Sequence, residues 1–136
     1  MNEFVVRFEP DPNDEVGKLW FSVQTELFSA TIFYWSNLTE VPDFVRRLDE
    51  YPLSTPAKCV WGYESLSGFH TVAAIEISQS NEVGLLEARV ELADQDDTEQ
   101  RLMVKLETEY ALLDLFRAQL TAMVGIRSGE AVLRWL

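Results

Sequence analysis

Chemistry in a small domain needs a nucleophile, a proton carrier, a metal cluster or an anion cradle. This chain is thinly supplied with all four. It holds one cysteine and one histidine, Cys59 and His70, the raw material of a thiolate–imidazole pair. Their spacing speaks against the pairing. Residues 58–64 and 69–77 alternate as two strands around Ser65-Leu66-Ser67-Gly68, a hairpin signal. With Leu66 and Ser67 at the turn, Tyr63 faces His70 and Cys59 faces Ala74. Cys59 and His70 then stand about 13 Å apart along the sheet, at ~3.3 Å per residue. Cys59 reads as a small core residue and His70 as a half-exposed strand residue.

Carboxylates are the abundant groups. Glu87 and Glu91 share a strand parity, as do Glu107 and Glu109. A glycosidase-type pair needs two carboxyls about 5–10 Å apart in a cleft, and among 23 acids such spacings arise by chance. The acids are densest in 82–99, where Glu82, Glu87, Glu91, Asp94, Asp96, Asp97 and Glu99 face a single base, Arg89. The run Asp94 to Glu99 resembles a calcium loop but lacks the loop glycine and the distal glutamate. It reads either as a solvated turn or as a docking surface for a basic protein. A second acidic group, Glu9, Asp11, Asp14 and Glu15, falls on a predicted hairpin tip. All four tryptophans, Trp20, Trp35, Trp61 and Trp135, lie on predicted strands, where packing is their ordinary use. Trp135, next to the terminus, is the one expected to be exposed and to anchor a partner. The candidate partner-binding residues are therefore Asp94, Asp96, Asp97, Glu99, Asp11, Asp14, Glu15 and Trp135. No catalytic, cofactor or metal site is expected, since no phosphate loop, dinucleotide glycine pattern, histidine pair at metal spacing or nucleophile elbow is present.

The charge balance sharpens this. Eleven Lys and Arg against 23 Asp and Glu give a net charge of −12 on 136 residues. Nucleic acid and anionic membranes are repelled, because neutralising phosphates needs clustered bases. A basic protein is attracted. A hydrophobic fraction of 47% and an aromatic fraction of 12% argue for a folded core. The length fits a single domain over 1–136. One cysteine leaves no internal disulfide and no multi-thiolate zinc site, which fits a reduced cytoplasm. No targeting segment and no membrane span are visible.

The elements that position these residues follow from periodicity. Phe4, Val6 and Phe8 alternate as a first strand, and 16–24 and 26–35 as a second and third. Val41, Phe44, Val45, Leu48 and Tyr51 then fall at helical spacing, with Thr39 as N-cap and Pro42 in the first turn. The hairpin 58–77 follows, then strands over 83–92 and 100–107. A second helix over 109–124 carries Leu113, Phe116, Leu120 and Met123 and stops at Gly125. Glu130 to Leu136 forms a short last strand. This order predicts an α+β domain: a mostly antiparallel sheet of about six to eight strands with two helices on one face.

Two stretches carry a family resemblance. They are Thr31-Ile32-Phe33-Tyr34-Trp35-Ser36-Asn37-Leu38 running into the helix around Phe44 and Leu48, and Val83-Gly84-Leu85-Leu86-Glu87-Ala88-Arg89-Val90-Glu91-Leu92 with the strand and helix after it. Over residues 26–124 the chain resembles small bacterial immunity proteins of the wall-associated, rearrangement-hotspot type of polymorphic toxin, and related families of unknown function. The resemblance implies a non-catalytic inhibitor that caps a basic toxin domain. It carries over no site residue, and the tail after Gly125 has no counterpart. The alternative is a small-ligand-binding or self-associating α+β module, monomeric or homodimeric, with an apolar pocket under the helices or a dimer through an exposed strand or Trp135. An enzyme would require a cleft holding a carboxylate of raised pKa, or a metal.

Overall fold

Alternating apolar residues bury one face of a strand, and they do so most regularly in the first, second, fourth and sixth strands. A computed structural model describes residues 2–80 and 84–136. The order is β1 (Glu3–Glu9), β2 (Gly17–Gln24), β3 (Ser29–Ser36), α1 (Val41–Leu48), β4 (Ala57–Ser65), β5 (Gly68–Gln79), β6 (Leu85–Ala93), β7 (Arg101–Glu109), α2 (Tyr110–Ile126) and β8 (Gly129–Arg134). The fold is α+β, with eight antiparallel strands and two helices. The strands divide into two four-stranded sheets, ordered β3-β2-β1-β8 and β4-β5-β6-β7. Val83, read as the start of the sixth strand, and Glu82 lie outside the described residues.

Phe4, Val6, Phe8, Leu19, Phe21, Ala131 and Leu133 form the inner face of the first sheet. The rung Trp61–Ala73–Leu92–Leu102 crosses the inner face of the second. β3 lies over that rung. The Tyr34 hydroxyl donates to the Gly62 carbonyl at 2.7 Å, and Ala30 and Ile32 meet Leu92 and Leu102. The two sheets share this contact, and Phe21 touches Trp61 with ring centroids 4.7 Å apart. Both helices fill the opening. Leu113, Phe116, Leu120 and Met123 of α2 and Val41, Phe44 and Leu48 of α1 join the same core. Phe116 reaches Phe4 at 6.2 Å.

The free side of β8 is guarded, since exposed strand edges invite pairing. Its Val132 N–H donates to Gln119 Oε1 of α2 at 2.7 Å. Its Arg134 carbonyl accepts from Thr108 Oγ1 at 2.8 Å.

Several sequence expectations need correction. Tyr63 does face His70, but Cys59 faces Ile75 rather than Ala74. A bulge between Trp61 and Gly62 shifts the register, because β5 places Val72 and Ala73 both in the interior. Only glycine fits at position 62, where a Cβ would stand 2.2 Å from the His70 carbonyl. The first helix begins after Glu40, not Thr39, and Glu40 makes no side-chain cap bond. It ends at Leu48, which leaves Tyr51 exposed outside it. The second helix runs through Gly125 and ends at Arg127, whose φ of 54° supplies the left-handed turn expected of glycine. Trp135 is buried, 7% exposed, because it continues the inward parity of Ala131 and Leu133.

Candidate functional site

The β6–β7 connection carries Asp94, Asp96, Asp97 and Glu99. Its shape is built from the acids themselves: Asp94 Oδ1 accepts the Asp96 N–H at 2.9 Å, and Asp97 Oδ1 accepts the Glu99 N–H at 3.2 Å. These are side-chain turns of the kind aspartate favours. The loop is moored to the β4–β5 hairpin. Tyr63 donates its hydroxyl to the Gln95 carbonyl at 2.8 Å. His70 Nδ1 lies 3.3 Å from Thr98 Oγ1, and its Nε2 lies 2.6 Å from Ser65 Oγ. The Tyr63 and His70 rings stack at 5.0 Å. The histidine therefore ties two loops together. Sequence reading missed this role; the facing of Tyr63 and His70 was its one visible signal.

The β1–β2 connection carries Asp11, Asp14 and Glu15, with Glu9 at its start. Asp11 Oδ1 accepts the Asn13 N–H at 2.9 Å and Asp14 Oδ1 the Val16 N–H at 3.2 Å. Arg127 reaches in from the end of α2 to the Glu15 carbonyl. The two acidic loops do not form one patch. One adjoins Ser36 through Gly17, and the other adjoins Ala30. Six residues of β3 separate those points, about 20 Å at ~3.3 Å each.

Neither loop makes an ion pair among the described residues, while the bases are almost all occupied. Arg7, Arg46, Arg89, Arg101, Lys105, Arg117 and Arg134 pair with acids. Lys18 and Arg127 lie over aromatic rings. Arg47 bonds Thr55 and the Pro56 carbonyl. Of the eleven bases, Lys58 alone has no such partner among the described residues. Part of the surplus negative charge therefore sits on the two loops, and Glu26, Glu40, Glu50, Glu64, Glu76, Glu107, Glu109 and Glu130 elsewhere likewise make no ion pair among the described residues.

The other sequence candidates take structural places. Cys59 is buried, its Sγ 3.6 Å from the Glu40 carbonyl. Burial, reinforced by Glu40, pushes its thiol up to about 12, the wrong direction for a nucleophile. Glu87 faces Glu107 across the outer face of the second sheet. A hydrogen bond from Arg89, with Lys105 nearby, holds the Glu87 carboxyl below its ordinary range; a general acid requires the opposite shift. Among the described residues no group of three His, Cys, Asp or Glu side chains is arranged to hold a metal ion. Among the described residues no helix is long and apolar enough to cross a membrane.

Sequence reading also passed over an aromatic face. Trp20, Phe33 and Trp35 lie on the outer side of the first sheet, with ring centroids 5.2 Å and 6.1 Å apart in series. Trp35, not Trp135, is the exposed tryptophan, at 45%. Separately, an open groove of about 370 Å³ runs between the β2–β3 turn and β7, lined by Leu27, Phe28, Met103 and Leu106. It does not lie under the helices, where the ligand-binding alternative placed its pocket. Comparison with protein-family models, curated proteins and solved structures yields no match.

Proposed function

We propose that the chain is a non-catalytic, protein-binding inhibitor, an immunity protein that neutralises a basic cognate toxin through its acidic surface. The distribution of charge carries this reading. A protein that merely needed solubility would gain it from any mixture of surface charge. Here all the bases but Lys58 are held in the protein's own contacts, and the two loops present acids that make no ion pair among the described residues. Such a field speeds encounter with a basic partner and rejects acidic ones. Asp11, Asp14, Asp94 and Asp97 already accept bonds from nearby backbone N–H groups, which lowers the ordering required of these four on binding. The mechanism is occlusion at fixed stoichiometry, without turnover.

The test is affinity capture from the source cells, washed at low and then high salt. The expected result is a basic protein released by salt, whose activity the purified chain abolishes at a fixed molar ratio. Capture that survives high salt, or inhibition that is sub-stoichiometric, overturns the reading. The groove at Leu27, Phe28 and Met103 favours the alternative, a small-ligand-binding module. That alternative predicts an apolar ligand whose binding is indifferent to ionic strength.

A further inference from the structure

The free edge of β7 carries backbone bonds that the fold leaves unmade. Successive residues of a strand turn their N–H and C=O groups to opposite sides. The Gln100 carbonyl accepts the Asp94 N–H at 3.0 Å, which continues the β6–β7 ladder and turns the even-numbered residues toward β6. The Glu107 carbonyl instead accepts the Leu136 N–H at 3.1 Å. Odd-numbered residues therefore face the free edge. At Met103 and Lys105 those groups meet no backbone partner among the described residues. The chain itself begins a fifth strand at this edge. It runs opposite to β7, with Arg134 at Thr108 and Leu136 at Glu107, and its line leads on to Lys105 and Met103. The open groove of about 370 Å³ occupies that place. Val104 and Leu106 line it from β7, and Leu27 and Phe28 from the β2–β3 turn. Leu27, Phe28 and Met103 are all exposed. The edge of β8, by contrast, is capped at Val132 by Gln119.

We infer that this groove is a strand-addition site: an extended segment of a partner protein, apolar at alternate residues and basic at its ends, pairs antiparallel with β7 at Met103 and Lys105. The inference goes beyond the inhibitor reading and makes no use of the acidic loops. The backbone selects the occupant. Met103 and Lys105 present donor–acceptor pairs about 7 Å apart, two residues at ~3.4 Å each, and another extended backbone matches both. An apolar small molecule would fill the groove and leave these bonds unmade. Directly opposite residues share a face of the sheet. Segment residues opposite Met103 and Lys105 therefore point to solvent. Their neighbours point with Val104 and Leu106 into the groove, where apolar side chains suit them. Glu26 on the wall and Glu107 beside Leu136 make no ion pair among the described residues, which favours bases at the ends of the segment. A second copy of this chain would instead bring another net charge of −12.

The experiment uses the full chain and a labelled peptide, Lys-Val-Thr-Val-Thr-Val-Lys, with binding followed by fluorescence anisotropy. The two threonines match Met103 and Lys105, and the valines enter the groove. Two N-methylated forms separate backbone from side-chain recognition. Methylation at the threonines removes the N–H groups aimed at β7, and methylation at the valines removes those aimed away. We expect the first to weaken binding about tenfold or more and the second by less than about threefold. Met103→Pro deletes an edge-facing N–H at a position where an edge strand accepts proline, and affinity should fall about fivefold. Leu27→Ser changes an exposed side chain and should lower affinity about threefold with an unchanged thermal melt. Equal binding of the two methylated forms overturns strand addition and leaves only an apolar groove. Full affinity in Leu27→Ser overturns the site, as does a wild-type chain that does not bind the peptide. A dimer in light scattering that Met103→Pro dissociates gives the edge to a second copy and overturns the partner. None of these results touches the inhibitor reading, which stands or falls on salt-released capture of a basic protein.

Discussion

The two sheets turn opposite kinds of surface to solvent. On the second, Glu87 is held by Arg89 and Lys105, and Glu91 by Arg101, while Lys58, Glu76 and Glu107 make no ion pair among the described residues. On the first, cations lie on aromatic rings and the neighbouring carboxylates of the β1–β2 turn have no cation. The strands are similar in length and share one core. What differs is what the surface cations meet: carboxylates on the second sheet, aromatic rings on the first.

That contrast can be tested by substitution. The largest effect should come from the core that both faces share. Phe21 touches Phe4 and Trp61 and so joins the two sheets. Phe21→Ala should lower unfolding free energy by about 3–5 kcal/mol, measured by urea denaturation. A loss below about 1 kcal/mol would mean the sheets are held together elsewhere. Next, Trp20→Ala on the first outer face removes a ring stack, two cation contacts and the bond to Glu9. We expect about 1–2 kcal/mol. If the cost reached the core value, the aromatic face would be structural and the contrast would fail.

The smallest effect belongs to the second outer face. Glu87→Gln should lower the melting temperature slightly at low salt and not at high salt, because exposed ion pairs are screened. Its pH dependence has a defined sign. Arg89 and Lys105 hold the folded-state pKa of Glu87 below the unfolded value of 4.5. The stabilisation is thus present above that value and disappears as pH falls through the depressed one. Melting curves of the wild type should therefore converge on those of Glu87→Gln in acid. Curves that stay parallel would show that the ion-pair lattice contributes nothing.

Local order was legible in the residues, and long-range partnership was not. Alternation in Phe4-Val6-Phe8 and in Leu102-Val104-Leu106 identified strands directly, because the two-residue period is a property of the segment. The division into two sheets depends on Phe4 meeting Leu133, and no local pattern encodes that. The bulge carries no mark within β5; Gly62 opposite it is intelligible only once the register is known. Trp135 was misjudged from its place in the chain although its parity with Ala131 and Leu133 already turned it inward. The acidic loops were identified correctly as loops. Their separation, and the aromatic face beside one of them, depend on where β3 meets the second sheet.

The pairing of β1 with β8 also bears on how the chain is made. Translation at roughly 5–20 residues per second delivers β1 well before its partner strand, with every other element emerging in between. During that interval β1 can pair with β2 but has an open second edge, and Phe4, Val6 and Phe8 lack the cover that α2 supplies in the finished fold. The nascent protein therefore passes through a window in which its earliest strand is sticky and its last is missing.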